Sequence, residues 1–173
     1  MAVDQDLQQK FEACVDACAE SMYRVAYRLT GNHSLARELV QETYLGAWKN
    51  IQSLRDVNRM RAWLFGIMRN QYTKLLTRET RAVETTEQTS QIPDHNNGST
   101  HKIKDSVQDA LSELEEKYRM PLLLVSIIGM SVQQASVALG IPPGTVLSRM
   151  HRGKTKLKEI LIRTEGFVEG QTT

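Results

Sequence analysis

A pair of acidic side chains in the N-terminal half has the spacing that acid–base chemistry can use. Glu38 and Glu42 lie four residues apart, so a helix would place both carboxylates on one face. Catalysis by such a pair also needs a histidine, a nucleophile or a metal ligand nearby, and this segment supplies none. No other combination of nucleophile, base and orienting group appears along the chain. We therefore predict that the protein is not an enzyme and takes no small-molecule substrate.

The two cysteines, Cys14 and Cys18, are also four residues apart, so a helix would bring both thiols to one face. The nearest candidate for a third metal ligand is His33, but a tetrahedral zinc site needs a further Cys or His that the region lacks. A reducing cytosol disfavours a disulfide. We interpret the thiols as small core residues, with metal binding or redox sensing as the less favoured alternative. No metal and no cofactor are predicted.

The composition is that of an ordinary folded protein. The 173 residues include 40% hydrophobic and 24% charged residues and carry a net charge of +2, which suits one domain or two small ones. The N-terminus has acidic and amide residues where a signal peptide has a basic start and an apolar core. The longest apolar stretch, Leu122 to Met130, is much shorter than the roughly 20 residues that span a bilayer. We expect a cytoplasmic protein without membrane insertion.

Helical periodicity runs through most of the chain, and no alternating strand pattern persists. Between residues 83 and 104, threonine, serine, glutamine and asparagine replace apolar residues, which indicates a flexible linker. The predicted fold class is all-α, with two small helical domains joined by that linker, the C-terminal one a helix-turn-helix. The predicted boundaries are 1–81 for the first domain, 82–106 for the linker, and 107–173 for the second domain with a disordered tail.

Breaks in the periodicity place the individual helices. Gly31 is a natural terminator, and Asn32 or Ser34 can cap the helix that follows. Pro121 predicts a kink or break, because an interior proline removes a helix hydrogen bond at a cost of about 3 kcal/mol. Before the helix-turn-helix, we predict helices over residues 5–29, 34–51, 59–78 and 106–129.

The segment from Ser131 onwards predicts two helices joined by a tight turn. Ser131 and Gln134 have the spacing of a capping box, Gly140 ends the short helix that it opens, and Pro143 fits the first turn of the next. This is the helix-turn-helix arrangement, whose second helix enters the major groove of DNA.

The second helix of this unit is basic and has two distinct faces. The stretch 145–163 carries a local charge of +5, which marks either a phosphate-binding surface or a solvated helix face. Its apolar residues recur at helical spacing, while hydroxyls and guanidiniums that can read bases occupy another face. We interpret the helix as DNA-binding, in preference to a basic helix that offsets its own dipole. The polar face comprises Thr145, Ser148, Arg149, Arg152 and Lys156.

A second unusual row lies on the predicted helix 34–51. Glu38, Gln41, Glu42 and Leu45 fall on one side, and Trp48 continues the row. Tryptophan is enriched where proteins meet, so the row could bind a partner. Periodicity alone leaves open the alternative that Leu45 and Trp48 pack against the next helix.

Several stretches resemble the extracytoplasmic-function sigma factors of the sigma-70 family. Residues 36–48, Ala-Arg-Glu-Leu-Val-Gln-Glu-Thr-Tyr-Leu-Gly-Ala-Trp, are similar to the family's core-binding helix, whose pattern is an acidic residue, Leu-Val-Gln-Glu, an aromatic residue and Ala-Trp. Residues 62–70 look like its next helix, which binds the promoter's minus-ten element. The parts similar to its minus-thirty-five-binding domain are 111–114, 118–119, 140–142, 144–146 and 148–152.

The resemblance implies three contact surfaces and an anti-sigma factor as a partner besides core RNA polymerase and promoter DNA. It assigns a set of residues to the clamp helices of the polymerase largest subunit: Glu38, Gln41, Glu42, Leu45 and Trp48. It assigns the loop 53–58 to a flipped-out base and a further set to strand separation and single-strand binding at the minus-ten element: Arg61, Trp63, Arg69, Asn70 and Lys74. It assigns a third set to the minus-thirty-five duplex: Thr145, Ser148, Arg149, His151 and Arg152.

The sequence departs from the family pattern at a few positions. Asn32 and Arg37 stand where the family has acidic residues, and Leu147 occupies a commonly basic position. The main rival interpretation is an ordinary helix-turn-helix regulator that binds a palindrome without polymerase. The row from Glu38 to Trp48 favours the sigma factor.

Overall fold

The computed structural model describes residues 5–85 and 101–169, with side chains for 5–78 and 106–164, and these ranges contain helices and no strand. Two 3-10 turns, Ile51–Ser53 and Val57–Arg59, separate the second and third helices. A π-helical turn, Leu123–Ile127, follows the fifth. The described residues contain seven α-helices: α1 (Gln5–Thr30), α2 (His33–Lys49), α3 (Met60–Thr85), α4 (His101–Glu113), α5 (Glu116–Leu122), α6 (Val132–Leu139) and α7 (Pro143–Glu169).

The predicted helix ends follow from local hydrogen bonding. The side chain of Asn32 accepts from the backbone N–H groups of Ser34 and Leu35, so Asn32 is the cap of α2. Gly31 and Gly140 adopt left-handed φ angles of 65° and 64° at the ends of α1 and α6, a conformation that glycine adopts without strain. The predicted helix ends at these positions are confirmed.

Helices α1, α2 and α3 form the first domain around one apolar core. Each buries a single stripe, as the helical period requires. Full burial of each large side chain contributes about 1.5–3 kcal/mol. The centre of this core is formed by Met22, Val25, Leu39, Leu64, Phe65 and Met68.

Helices α4 to α7 form the second domain, and its first part differs from the prediction. The expected helix over 106–129 is interrupted at Leu114–Glu115 rather than near Met120–Pro121. Pro121 lies inside the short helix α5, and the regular geometry changes to a π turn two residues later. The chain breaks where Leu114 turns into the core, because burying Leu111, Leu114 and Tyr118 needs a change of direction between α4 and α5.

The two domains are in contact in this structure. Helix α3 packs against α6, and α1 packs against α4. Arg28 and Gln108 exchange two hydrogen bonds of 3.3 Å across this boundary. Residues 86–100, most of the predicted linker, lie outside the described residues, and helices occupy the flanking parts of the segment 82–106.

None of the described helices is both long and apolar enough to cross a membrane.

The capping box of α6 should be a measurable source of stability. Ser131 Oγ accepts from the N–H of Gln134 at 3.1 Å, and the Gln134 side chain accepts from the N–H of Ser131 at 2.9 Å. We expect Ser131→Ala to lower the free energy of unfolding by about 1 kcal/mol in urea denaturation, and Ser131→Asp, which still caps, to lower it by less. Equal losses in the two variants would show that the cap is not the cause.

Candidate functional site

The row on α2 is exposed. Helix α2 buries Ala36, Leu39, Thr43 and Ala47, so the opposite side faces solvent. Leu45 is 52% exposed and Trp48 is 38% exposed, both high values for large apolar side chains. Gln41 and Glu42 are exposed beside them, and Glu38 is half-buried.

Two contacts hold this row in place. The Trp48 ring packs against Phe11 of α1, with 5.5 Å between ring centroids. Glu38 pairs with Arg78 of α3 at 2.6 Å. About half of the Leu45 side chain is exposed, so packing against the third helix does not cover it, and the Trp48 ring contacts Phe11 of α1. The row is therefore an ordered surface that mixes acidic, amide and apolar groups.

Helix α3 places the sequence-predicted minus-ten residues in different environments. Asn70 and Lys74 are exposed, whereas Trp63 is half-buried and packs against the core. One side of the helix borders an open groove of about 550 Å³. The groove is lined by Arg69, Asn70, Thr73, Lys74, Thr77 and Arg78.

Three residues of the groove are not among the predicted minus-ten residues. Thr73 and Thr77 continue the four-residue spacing from Arg69, and Arg78 continues it from Asn70 and Lys74. That spacing places each series on one helix face, and extending it would have found them.

Arg61 and Arg69, the other basic residues predicted on α3, contact the second domain. Arg61 Nη2 donates to the carbonyl oxygen of Ile128 at 3.1 Å, and Arg69 Nη1 donates to that of Leu139 at 3.0 Å. Both guanidiniums are half-buried. Arg69 therefore lies at the edge of the groove that it shares with Asn70 and Lys74, while its Nη1 is used by the second domain.

The loop 53–58 is short and braced from within. The Asp56 side chain accepts from the backbone N–H of Asn58 at 3.0 Å and pairs with Arg59 at 3.2 Å. Val57 is 38% exposed at the tip. The loop therefore presents an ordered backbone turn at the start of α3.

Helix α7 presents the predicted recognition face. Val146 and Met150 are buried against the second domain, which turns Ser148, His151 and Arg152 outward. Thr145 and Arg149 are half-buried at the edge of this face. The first turns of α7 thus expose hydroxyl, imidazole and guanidinium groups of the kind that reads base edges.

Further along α7, two basic residues form ion pairs with acidic residues of the same domain. Lys156 lies 3.4 Å from Glu115, and Lys117 lies 2.5 Å from the same carboxyl group. The hydrogen bond from Lys117, and then that from Lys156, lowers the pKa of Glu115. The hydrogen bond to Glu115 in turn raises the pKa of Lys117. Arg163 pairs with Glu113. The positive charge of α7 is therefore partly compensated at Lys156, on the predicted polar face, and at Arg163.

The cysteines lie on one face of α1, as predicted, with 3.8 Å between the sulfur atoms. Cys18 is buried, and the hydrogen bond from Cys14, together with the nearby Arg61, lowers its pKa to about 7. The same hydrogen bond and burial raise the pKa of Cys14. Burial also raises the pKa of Tyr44 to about 12.

His33 does not join the thiols as a metal ligand in the structure. Its Nδ1 lies 2.6 Å from the Tyr23 hydroxyl, and its ring stacks on Tyr27 at 4.6 Å. Among the described residues, no group of three or more potential ligands could hold a metal ion.

The hydrogen bond between the thiols predicts an unusual titration. We expect Cys18 to ionise near pH 7, as followed by ultraviolet thiolate absorbance. In Cys14→Ala its pKa should rise to at least the ordinary value of about 8.5, because the donor that stabilises the thiolate is gone. Cys14→Ser, which keeps a donor, should retain the low pKa. Two thiols that titrate together above pH 8 would contradict the assignment.

Comparison with known proteins supplies the family. Residues 14–82 match the model for sigma-70 region 2, and residues 104–157 match that for sigma-70 region 4. The chain is 32% identical to the ECF RNA polymerase sigma factor EcfG of Rhodopseudomonas palustris, over 84% of this chain and 81% of that protein. It is 29% identical to the ECF RNA polymerase sigma factor SigE of Mycolicibacterium smegmatis over 92% of this chain, and it spans 65% of that protein.

A solved structure agrees with these matches. The sigma factor RpoE of Bartonella quintana, determined in complex with the anti-sigma factor NepR, aligns with a TM-score of 0.70 at 26% identity. The alignment covers 91% of this chain and 98% of that one. The shared helical fold and the two matched regions, in the same order, show that the chain belongs to the ECF RNA polymerase sigma factors, the alternative sigma factors that recognise promoters for RNA polymerase.

Proposed function

We propose that this chain binds core RNA polymerase through the exposed row of α2, recognises the minus-ten element through α3 and the loop before it, and recognises the minus-thirty-five element through α7. The observation that carries the proposal is the α2 row itself. An ordinary helix-turn-helix regulator has no need of an ordered acidic surface that leaves a leucine 52% exposed and a tryptophan 38% exposed. A protein partner would bury these side chains, and such exposed anchors are typical of binding surfaces.

The minus-ten surface is supported by the groove beside α3. Lys74 and Arg78 supply positive charge for a phosphate backbone, while Asn70 and the two groove threonines supply hydrogen-bonding groups. Unpaired bases suit such a groove, because their edges can be read by amides and their faces can stack on guanidinium planes. The braced loop 53–58 is adjacent in the chain and would hold a flipped base.

The minus-thirty-five surface is supported by the start of α7. Side chains near the start of a recognition helix contact base edges in the major groove. Arg152 and His151 are exposed there, and Ser148 Oγ is oriented by its hydrogen bond to the Thr145 carbonyl oxygen at 3.0 Å. Leu147, at a position where the family is commonly basic, is 55% exposed and offers an apolar contact instead of a phosphate contact.

Two further parts of the proposal follow from the family. An anti-sigma factor would hold the protein inactive by covering the same surfaces, by analogy with the complex of the Bartonella sigma factor with NepR. The chain itself would act without catalysis, as a specificity subunit in the cytoplasm, because the described side chains offer binding surfaces in place of a catalytic constellation.

Polymerase docking can be tested by reconstituted transcription with bacterial core polymerase. We expect promoter-specific transcripts from the wild-type protein and a loss of at least tenfold in the double variant Gln41→Ala/Trp48→Ala, because both changes remove side chains of the α2 row. Gln9→Ala, an exposed glutamine on α1, is the matched control and should transcribe normally.

Duplex binding by the Gln41→Ala/Trp48→Ala variant should stay unchanged, which separates docking from folding. If core polymerase gains no promoter specificity from the wild-type protein, and the protein alone binds a palindrome tightly, the ordinary regulator is the correct interpretation.

Base reading by α7 can be tested with Arg152→Ala. We expect the holoenzyme to lose about 1–3 kcal/mol of discrimination at one base pair of the minus-thirty-five element, measured as relative affinity across single-base variants of the promoter. Lys158→Ala, an exposed basic residue on another face of α7, should leave the base preference unchanged. The same preference profile in Arg152→Ala as in the wild type would contradict the assignment.

A further inference from the structure

A large apolar side chain, Leu147, is exposed on α7 among polar and basic groups. It is 55% exposed, whereas Val146 beside it is fully buried and Met150 is 9% exposed. These two buried side chains fix the rotation of the helix on its domain, so Leu147 cannot turn into the core. Single exposed leucines are common on protein surfaces, and the significance of this one depends on its position.

Leu147 lies in the first two turns of α7, which begins at Pro143. In a helix-turn-helix, side chains of this part of the second helix contact base edges in the major groove. His151 follows Leu147 by four residues, which places the two side chains on adjacent turns of one helix side. Ser148 is next to Leu147 in the chain, and all three are exposed. Leu147 therefore shares the surface proposed to read bases.

The charge around Leu147 suits a nucleic acid better than an apolar protein partner. The stretch 143–158 carries five basic residues and no acidic one. Lys156 is paired with Glu115, but Arg152 and Lys154 are exposed on either side of the helix face that carries Leu147 and Ser148. An excess of positive charge around one apolar side chain complements a phosphate backbone whose groove presents an apolar group.

Thymine is the base that presents such a group. Its C5-methyl lies in the major groove, whereas the other bases present mainly hydrogen-bond donors and acceptors there. The leucine side chain has no hydrogen-bonding atom, so it can neither bind a phosphate nor read a polar base edge. Its favourable contact in the groove is with a methyl group, because the contact removes both apolar surfaces from water.

We propose that Leu147 is a specificity-determining residue that contacts the C5-methyl group of a thymine in the minus-thirty-five element. The proposal rests on the proposed function of α7 and deepens it. A basic residue at this position would contact the phosphate backbone, which carries no sequence information. Leucine exchanges that contact for recognition of one base, so this chain differs in base preference from relatives with a basic residue here.

Replacement of thymine by deoxyuridine tests the contact, because it removes only the methyl group and keeps base pairing. The holoenzyme, formed with bacterial core polymerase, first selects its preferred sequences from duplexes randomised at the minus-thirty-five element. Each thymine of the selected element is then replaced singly, and the affinity of the wild-type holoenzyme is measured. We expect a loss of about fourfold at the thymine that Leu147 contacts, which is the value of one buried methyl group.

Leu147→Ala identifies the side chain responsible. In this variant the duplexes with thymine and deoxyuridine at that position should bind equally well, because the leucine that contacts the methyl group is gone. Ile162→Ala, which truncates a 60% exposed side chain further along α7, is the matched control and should keep the fourfold loss.

Leu147→Arg provides a second measurement. It should also abolish the difference between thymine and deoxyuridine. In addition, it should steepen the dependence of log affinity on log salt concentration by about one, because the arginine gains a phosphate contact.

The outcomes separate this proposal from the proposed function. If the wild-type holoenzyme selects a minus-thirty-five sequence but binds every deoxyuridine duplex as well as its thymine counterpart, the role of Leu147 is overturned and the proposed function stands. A fourfold loss that persists in Leu147→Ala would also overturn it. A holoenzyme that selects no sequence at the randomised element would contradict the proposed function of α7, and the role of Leu147 with it.

Discussion

Helix α2 can bury only one of its faces, and this constraint decides what the first domain can bind. Its buried stripe consists of two alanines, Leu39 and Thr43, and the helix packs against both α1 and α3. Thr43 is polar yet fully buried, and its hydroxyl donates to the Leu39 carbonyl oxygen at 2.6 Å, which offsets the cost of its burial. With this stripe fixed, the acidic, amide and apolar side chains of the opposite face have no place in the core and form the surface proposed for polymerase.

A single buried stripe likewise fixes the second helix of the helix-turn-helix. Val146 is fully buried and Met150 is 9% exposed, so α7 has one fixed orientation on its domain. Gly140 ends α6 in a left-handed conformation, and Pro143 starts α7 three residues later. The turn therefore fixes the orientation of α7, and of its exposed polar face, relative to α6. The exposed side chains on that face take no part in the core, which leaves them available for the proposed contact with DNA.

Much of this organisation could be predicted from local sequence. Asn32, Ser131 and Gly140 act through hydrogen bonds and backbone angles that involve near neighbours in the chain, and the helix ends there agree with the prediction. The sequence does not predict Thr43 as a core residue, because threonine carries a polar hydroxyl. Its burial depends on the hydrogen bond that this hydroxyl donates within the helix. The proline predicts a break near Pro121, but the helix breaks at Leu114–Glu115. The position of the break depends on the packing of Leu114 in the core, which the local sequence does not show.

The relation between the two domains could not be predicted from the sequence. The hydrogen bonds from Arg61, Arg69 and Arg119 join residues that are 47 to 90 positions apart. A guanidinium that suits phosphate suits a carbonyl oxygen equally well, so composition and spacing do not distinguish the two partners. The family resemblance implies a DNA contact for Arg61 and Arg69, whereas the structure gives each of them a protein acceptor.

The central claim is that the exposed face of α2 is the polymerase-binding surface. The most direct test replaces Leu45 with a photo-crosslinking amino acid and irradiates the protein together with bacterial core polymerase and promoter DNA. Leu45 suits the probe because 52% of its surface is exposed and its loss removes little from the core. The account predicts a crosslink to the largest polymerase subunit, and none from the same probe at Ile162 on α7, which is 60% exposed. Crosslinks to the polymerase from Ile162 but none from Leu45 would contradict it.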